Sequence, residues 1–304
     1  MIRQWSFKYG TQVGEPIKGN EHVRALALSG DCKWIVSGEF KLASVWNRHT
    51  WKKALEVQGH TLDIEAVDIS PDSTRFATGA RDNKAIIWDI STGRRLLGPL
   101  EHGDSVMAVK FSPDGDHIAT ATWNHECLRV YSAHTGQLIR TVSVKAYGLA
   151  PIAWSSDSQR IFASSLNSIK HIYVDTGTII IQWGITGDTD GAQGSLTMPS
   201  NGRFIACFVG SSLSLLDASS GVRFGPVFDH PGQKLRSIAI SLDNRYLAAC
   251  GQNGKITLRN LSGIIPMPYL VHQPRNHRGN PRVQFEALEA FRATLRTLEL
   301  HFGP

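Results

Sequence analysis

Short runs in which apolar and polar residues alternate recur along most of the chain. VRALALS (23–29), IEAVDIS (64–70), VMAVKFS (106–112) and LRSIAIS (235–241) each predict a strand with two unlike faces. Six turn signatures recur, four of them at the ends of these runs: SGDC at Ser29, SPDS at Ser70, SPDG at Ser112, SSDS at Ser155, PSNG at Pro199 and SLDN at Ser241. The turns return at intervals of 41, 42, 43, 44 and 42 residues. After each comes an apolar run that ends in small residues (WIVSG, RFATGA, HIATAT, RIFASS, RFIACF, RYLAACG), then a third run that ends in Trp or a substitute (SVWN, IIWDI, LRVYS, HIYVD, LSLLD, ITLRN). A Thr-Gly or Ser-Gly turn and a fourth strand follow in STGRRLLGPL, HTGQLIRTV and SSGVRFGPV.

A period of 40 to 45 residues with strands on both sides of each turn predicts an all-β propeller of four-stranded antiparallel blades. Six blades are expected at 23–57, 64–100, 106–143, 149–183, 193–228 and 235–270. MIRQWSFKYGTQVGEPIKG aligns with AIIWDISTGRRLLGPLEHG, with Trp5 on Trp88, Gly10 on Gly93 and Pro16 on Pro99. Residues 1–20 therefore read as a half-blade that begins at its third strand. Three readings of the ring stay open: an incomplete seven-blade ring, which the alignment favours, a six-blade ring with a displaced hairpin, or a fragment of a longer protein. Beyond the propeller (1–271), a polar linker at 272–280 precedes Asn280 as N-cap and Pro281 at the first helical position. Leu288, Phe291, Leu295, Leu298 and Phe302 then fall on one face of a helical tail at 281–302. That amphipathic stripe could dock on the open side of the ring, bind a partner, or be padding. Pro151 on an inner strand, with decayed repeats around it, predicts loose packing in blades four and five.

The repeats resemble the WD-repeat family. Blade two carries the likeness most fully, with Gly59-His60, SPDS, TGARD and Trp88-Asp89. GEPIKG, LLGPLEHG and FGPVFDH are also similar to fungal WD arrays, including those attached to nucleotide-binding signalling ATPases. The family resemblance implies a structural network of a loop His, a second-strand Ser or Thr, a turn Asp and a third-strand Trp. Blade two offers His60, Asp82 and Trp88, with Ala80 at the place of the hydroxyl; blade three offers His102, Thr122, Asn124 and Tyr131. Gly210 replaces the Asp in blade five, and Arg259 the Trp in blade six. The resemblance also implies that the loop-bearing rim holds peptides or partner proteins. One residue per blade stands there: Phe40, Arg81, Trp123, Leu166, Val209 and Gln252. Aromatic and Arg side chains suit such a surface because they bury much area at small entropy cost.

Composition changes this picture little. Of 304 residues, 41% are hydrophobic and 19% charged, and no apolar run is long enough to span a bilayer, so no membrane role is expected. Cys32, Cys127, Cys207 and Cys250 are scattered without CxxC pairs and read as buried thiols, which with no signal-peptide core places the protein in the cytoplasm, or else the nucleus. The net charge of +6 raises a nucleic-acid-associated propeller as the alternative function, but no Lys/Arg run exceeds two residues, which argues against it. No cofactor or metal is expected: there is no GxGxxG between strand and helix, no GxxxxGK[ST], no HExxH and no GxSxG, and His272 and His277 lack further ligands. Asp68, Asp72, Asp82 and Asp89 fall on different blade edges, and the channel strands VRALALS and VMAVKFS are apolar and basic. The sequence therefore predicts a non-catalytic scaffold or ligand-sensing propeller that binds a protein or peptide on its loop-bearing face.

Overall fold

The structure is a computed structural model that describes residues 1–6, 9, 11–19, 21–123, 127–144, 152–165, 168–184, 194–199, 201–241, 243–266, 269 and 300–302. A hairpin of β1 (Ile2–Trp5) and β2 (Gln12–Ile17) stands first. Blade one follows with β3 (Ala25–Leu28), β4 (Trp34–Gly38), β5 (Phe40–Asn47) and the first part of β6 (Lys52–Ile69). The rest of β6 is the inner strand of blade two, beside β7 (Arg75–Ala80), β8 (Lys84–Asp89) and β9 (Arg95–Glu101). One 18-residue strand thus joins the outer edge of one blade to the inner edge of the next, and the two form a single seven-stranded sheet.

The remaining blades are separate sheets. Blade three holds β10 (Val106–Phe111), β11 (His117–Thr122), β12 (Cys127–Ser132) and β13 (Leu138–Ser143). Blade four holds β14 (Ile152–Trp154), β15 (Arg160–Ser165), β16 (Ser168–Tyr173) and β17 (Ile179–Gly184). Blade five holds β18 (Gly194–Thr197), β19 (Phe204–Val209), β20 (Ser212–Asp217) and β21 (Arg223–Asp229). Blade six holds β22 (Leu235–Ile240), β23 (Tyr246–Gly251) and β24 (Ile256–Asn260), and its fourth strand, β25 (Leu300–Phe302), pairs parallel to β24. This corrects the end of the expected helical tail, since Leu300–Phe302 lie as a strand; 281–299, with the apolar stripe through Leu298, fall outside the described residues.

Packing explains why the second and third strands read as almost continuous apolar runs. Both of their faces are buried: in blade two, Phe76, Ile86 and Trp88 pack toward blade one, while Ala77, Ala85 and Ile87 pack toward blade three. Apolar clusters of this kind join every successive pair from the hairpin to blade six. Polar ties reinforce them. Arg75 donates to the carbonyls of Ala133 and Gly115 at 2.6 and 3.0 Å, and the Asp68 carboxylate receives Lys110 Nζ and the Phe111 N–H at 2.7 and 2.8 Å. The Trp154 indole N–H donates to Lys110 O at 3.0 Å. The loose packing expected in blades four and five is not found: Ile161, Phe162, Ile169, Ile172, Phe204 and Phe208 are among the most deeply buried side chains. Pro151 lies outside the described residues.

The six turn signatures share one backbone device. Their fourth residues (Cys32, Ser73, Gly115, Ser158, Gly202 and Asn244) all have φ between 59° and 80°. Glycine is the natural occupant of that conformation, yet two serines there keep a use for their side chains. The Ser73 hydroxyl accepts the Asp31 N–H, and the Ser158 hydroxyl accepts the Asp114 N–H, each from the neighbouring blade. On β7, Gly79 is needed for a different reason: a Cβ there would stand 2.7 Å from Val106 and 2.8 Å from Val109 of blade three. Gly79→Ala should therefore force the junction of blades two and three apart and cost about 1–3 kcal/mol. The measurement is the urea midpoint, and an unchanged midpoint would mean the blades do not approach this closely.

Candidate functional site

The rim is positioned by a buried hydroxyl on the second strand of each well-formed blade. In blade two that hydroxyl belongs to Thr78. The Trp88 indole N–H donates to it at 3.0 Å, and His60 Nε2 lies 2.7 Å away. His60 Nδ1 faces the Asp82 carboxylate at 3.0 Å, so the imidazole donates to Asp82 and accepts from Thr78. Asp82 also receives the Thr61 N–H at 2.8 Å, which closes the loop onto the turn. In blade three, His102 Nε2 stands 2.8 Å from Thr120 and 3.3 Å from Tyr131 Oη, and its Nδ1 faces Leu100 O at 2.9 Å. The network is therefore real, but its hydroxyls are Thr78 and Thr120. Ala80 and Thr122, singled out from the sequence, lie two residues further on and inward, the same strand face. Asn124 lies outside the described residues.

Sequence reasoning missed the blade-one member altogether. Trp46 donates to Ser37 at 2.9 Å, and Ser37 to Glu39, whose side chain is fully buried. Glu39 accepts the Glu21 N–H at 3.1 Å, as Asp82 accepts Thr61. One carboxylate thus does the work of His60 and Asp82 together. The signal was present, since Gly19 takes the place of His60, 18 residues before the buried hydroxyl, and a glutamate follows an apolar strand. A Cβ on Gly19 would touch the Glu39 carboxylate at 2.7 Å, which keeps that position small.

Blade six shows the network broken. Its hydroxyl position is Ala249 and its Trp position Arg259, fixed by the pairing of Leu247 with Arg259. His230 still points Nδ1 at Phe228 O, at 3.2 Å, as His102 does at Leu100 O. Its Nε2, like Arg259 Nε, has no hydrogen-bond partner among the described residues. The Arg259 guanidinium lies over the Phe228 ring at 4.7 Å.

Three residues beyond the buried position, the chain reaches the upper rim. Phe40, Arg81, Trp123 and Gln252 all stand there, counted from Ser37, Thr78, Thr120 and Ala249. Phe40 is 42% exposed and the Arg81 side chain 37%, Trp123 is half-buried and Gln252 exposed. Val209 is a correction: Cys207 holds the buried place in blade five, so the rim residue is Gly210, and Val209 is only 4% exposed. A slip of one residue on a strand sends the side chain to the opposite face. Leu166 lies outside the described residues.

Hydrogen bonds tie three of these positions into one arc. Phe40 pairs with Asp63 across the strands, the Arg81 N–H donates to Asp63 O at 2.9 Å, and the Ser105 hydroxyl donates to Arg81 O at 3.5 Å. The Trp123 N–H then donates to Ser105 O at 3.0 Å. Gln252 stands apart, lining a cleft of about 540 Å³ between blades five and six with Ser211, Lys234 and Asn253. Beneath the arc, Arg24 bridges Asp63 and Glu65 at 2.8 and 3.1 Å, and Arg81 Nε meets Glu65 at 2.5 Å. The channel mouth is therefore acidic as well as basic, which the strand sequences alone understated.

The buried histidines are neutral. Burial lowers the His60 imidazole despite the Asp82 carboxylate beside it, and burial lowers His102 to about 4. Burial likewise raises the Cys207 thiol to about 12, which leaves it an inert core group. At the turns, the Ser91 and Thr92 hydroxyls hold the exposed Asp89 carboxyl down at about 2. Asp68, Asp72, Asp82 and Asp89 are each engaged separately, with Lys110, Ser70, His60 and Ser91.

A succession of twisted four-stranded sheets, each packed face to face on the next, defines a β-propeller. Residues 51–89 and 94–127 match the family model "WD domain, G-beta repeat". These two segments carry WD repeats, and the chain folds as a β-propeller. Its structure is similar to the beta-propeller domain of Cps50 (Swd1) from Myceliophteria thermophila, with a TM-score of 0.70 and 15% identity, over 80% of this chain and 84% of that one. No curated protein matches the chain in sequence. WD-repeat propellers are commonly protein-interaction scaffolds and typically not enzymes.

Two measurements test the network. Ala249→Ser restores a hydroxyl between His230 and Arg259 and should stabilise the protein by about 1 kcal/mol; a lower melting temperature would show that the gap is already filled. The second is pH-dependent. His102 has a folded pKa of about 4, below its unfolded value, so the unfolded chain takes up the proton first. Its contribution, about 3 kcal/mol, is present at neutral pH and is lost as pH falls from about 6.5 to 4. Urea titrations of His102→Gln should show a shallower pH slope across that window than the unmodified chain.

Proposed function

We propose that this propeller is a non-catalytic scaffold that holds a protein or peptide partner on its upper face, with Phe40, Arg81 and Trp123 as the principal contacts. The observation that carries this reading is the arc itself. Three side chains of the kinds that dominate binding energy stand on neighbouring blades, linked by backbone hydrogen bonds, and none of them belongs to the buried clusters between blades. Arg81 and Trp123 rise from rigid strands through short turns, so little order is lost when a partner arrives. Gln252, on the cleft between blades five and six, is a secondary contact. A cytoplasmic or nuclear setting goes with this reading, because the cysteines are scattered along the chain without CxxC pairs.

The double substitution Phe40→Ala and Trp123→Ala tests it. Each side chain should contribute about 1.5–3 kcal/mol on burial by a partner, so partner binding should fall by more than a hundredfold while the melting temperature stays within a few degrees. Undiminished binding by the double variant would move the contact surface elsewhere. Binding that instead collapses with salt in proportion to phosphate contacts would favour a nucleic-acid ligand.

A further inference from the structure

The scaffold reading leaves the chemistry of the partner open, and the inference here rests on that reading. We infer that the Phe40–Arg81–Trp123 arc takes a segment bearing an acidic side chain next to an apolar one, with the carboxylate on Arg81 and the apolar group against Phe40.

The charges of the arc differ in how far they face solvent. The Asp63 and Glu65 side chains are 19% and 11% exposed, and Arg24, itself 17% exposed, uses both terminal nitrogens to hold them. Arg81 is used differently. Its Nε serves Glu65, but its two terminal nitrogens make no hydrogen bond among the described residues, on the most exposed side chain of the four. A guanidinium anchored at Nε and open at both terminal nitrogens is a planar fork suited to a carboxylate. A cationic side chain on the partner would have to approach the same acids past Arg81, and would add a third positive charge beside two.

The ground beside the fork is apolar. Phe40 and Leu62 are both exposed, and Leu62 adjoins Asp63, the cross-strand partner of Phe40. Lys41, held in the left-handed region at φ 63°, places Nζ 4.7 Å from the centre of the Phe40 ring, so the apolar anchor too carries positive charge at its edge. At the opposite end of the arc, the Asp104 carboxylate accepts the Ser105 N–H at 2.6 Å.

A library of random ten-residue peptides, displayed and selected on the full chain, tests the assignment. Selected peptides should be rich in Asp or Glu next to Phe, Leu or Trp. Their affinity, read by fluorescence anisotropy, should fall at least about fivefold for Arg81→Gln and for Lys41→Glu, with melting temperatures recorded for both. Lys41 is in no buried network, so its variant keeps the test decisive even where Arg81→Gln is destabilised. Enrichment of Lys or Arg, no charge preference, no enrichment at all, or affinities indifferent to both variants would overturn the inference. The two readings separate cleanly. Peptides lost on Phe40→Ala with Trp123→Ala but kept on Arg81→Gln and Lys41→Glu leave the face and remove the acidic partner. Peptides kept on all the variants remove both.

Discussion

The Thr78 hydroxyl receives the Trp88 indole N–H, donates to the His60 imidazole, and through His60 reaches Asp82 and the Thr61 backbone. Five groups from three strands and one turn are thus linked through one oxygen. Each would be expensive to bury alone, because a lost partner leaves the full desolvation penalty behind. The loop and the turn of the upper face are consequently fixed to the same strand, and the residue three positions beyond the hydroxyl is delivered to the rim in a known orientation. What the rim displays follows from that one anchor.

The chain meets the requirement in more than one way. Blade one replaces the imidazole and the turn carboxylate with Glu39 alone. Blade three keeps His102 and Thr120 but sets Tyr131 in the place of Trp. Blade six loses the hydroxyl at Ala249, and His230 Nε2 and Arg259 Nε find no hydrogen-bond partner among the described residues. These differences leave the strand pairings intact, since the apolar clusters between successive blades hold the sheets in place independently. Burial makes the blades; the polar network shapes their loops.

At the rim, fixed loops and graded exposure produce a chemical preference. Acidic side chains lie low, Arg24 neutralises them from within, and Arg81 keeps its fork toward solvent. An aromatic residue stands on either side of that fork along the arc. The same four residues placed with the acids uppermost would select the opposite charge, so it is their depth rather than their number that carries the specificity.

Much of this was legible in the residues. The interval of the turn signatures and the alternation of VRALALS, IEAVDIS and VMAVKFS determined an all-β succession of four-stranded blades, because a strand period and a repeat length are local properties. His60, Asp82, Trp88, His102 and Tyr131 were recognisable by type and place, and so were Phe40, Arg81 and Trp123. Register was not. Thr78 and Thr120 were passed over for positions two residues away, because both pairs lie on the same buried strand face and only the reach of His60 and His102 tells them apart; Val209 was placed on the rim where Gly210 stands, because a slip of one residue exchanges the faces. Glu39 was invisible for a related reason: a charged residue after a strand reads as exposed until the neighbouring loop is seen to close over it. Sequence determined which elements form and in what order. Only the packing of one blade on the next decided which side chains face inward, how deep each charge lies, and therefore what the rim can hold.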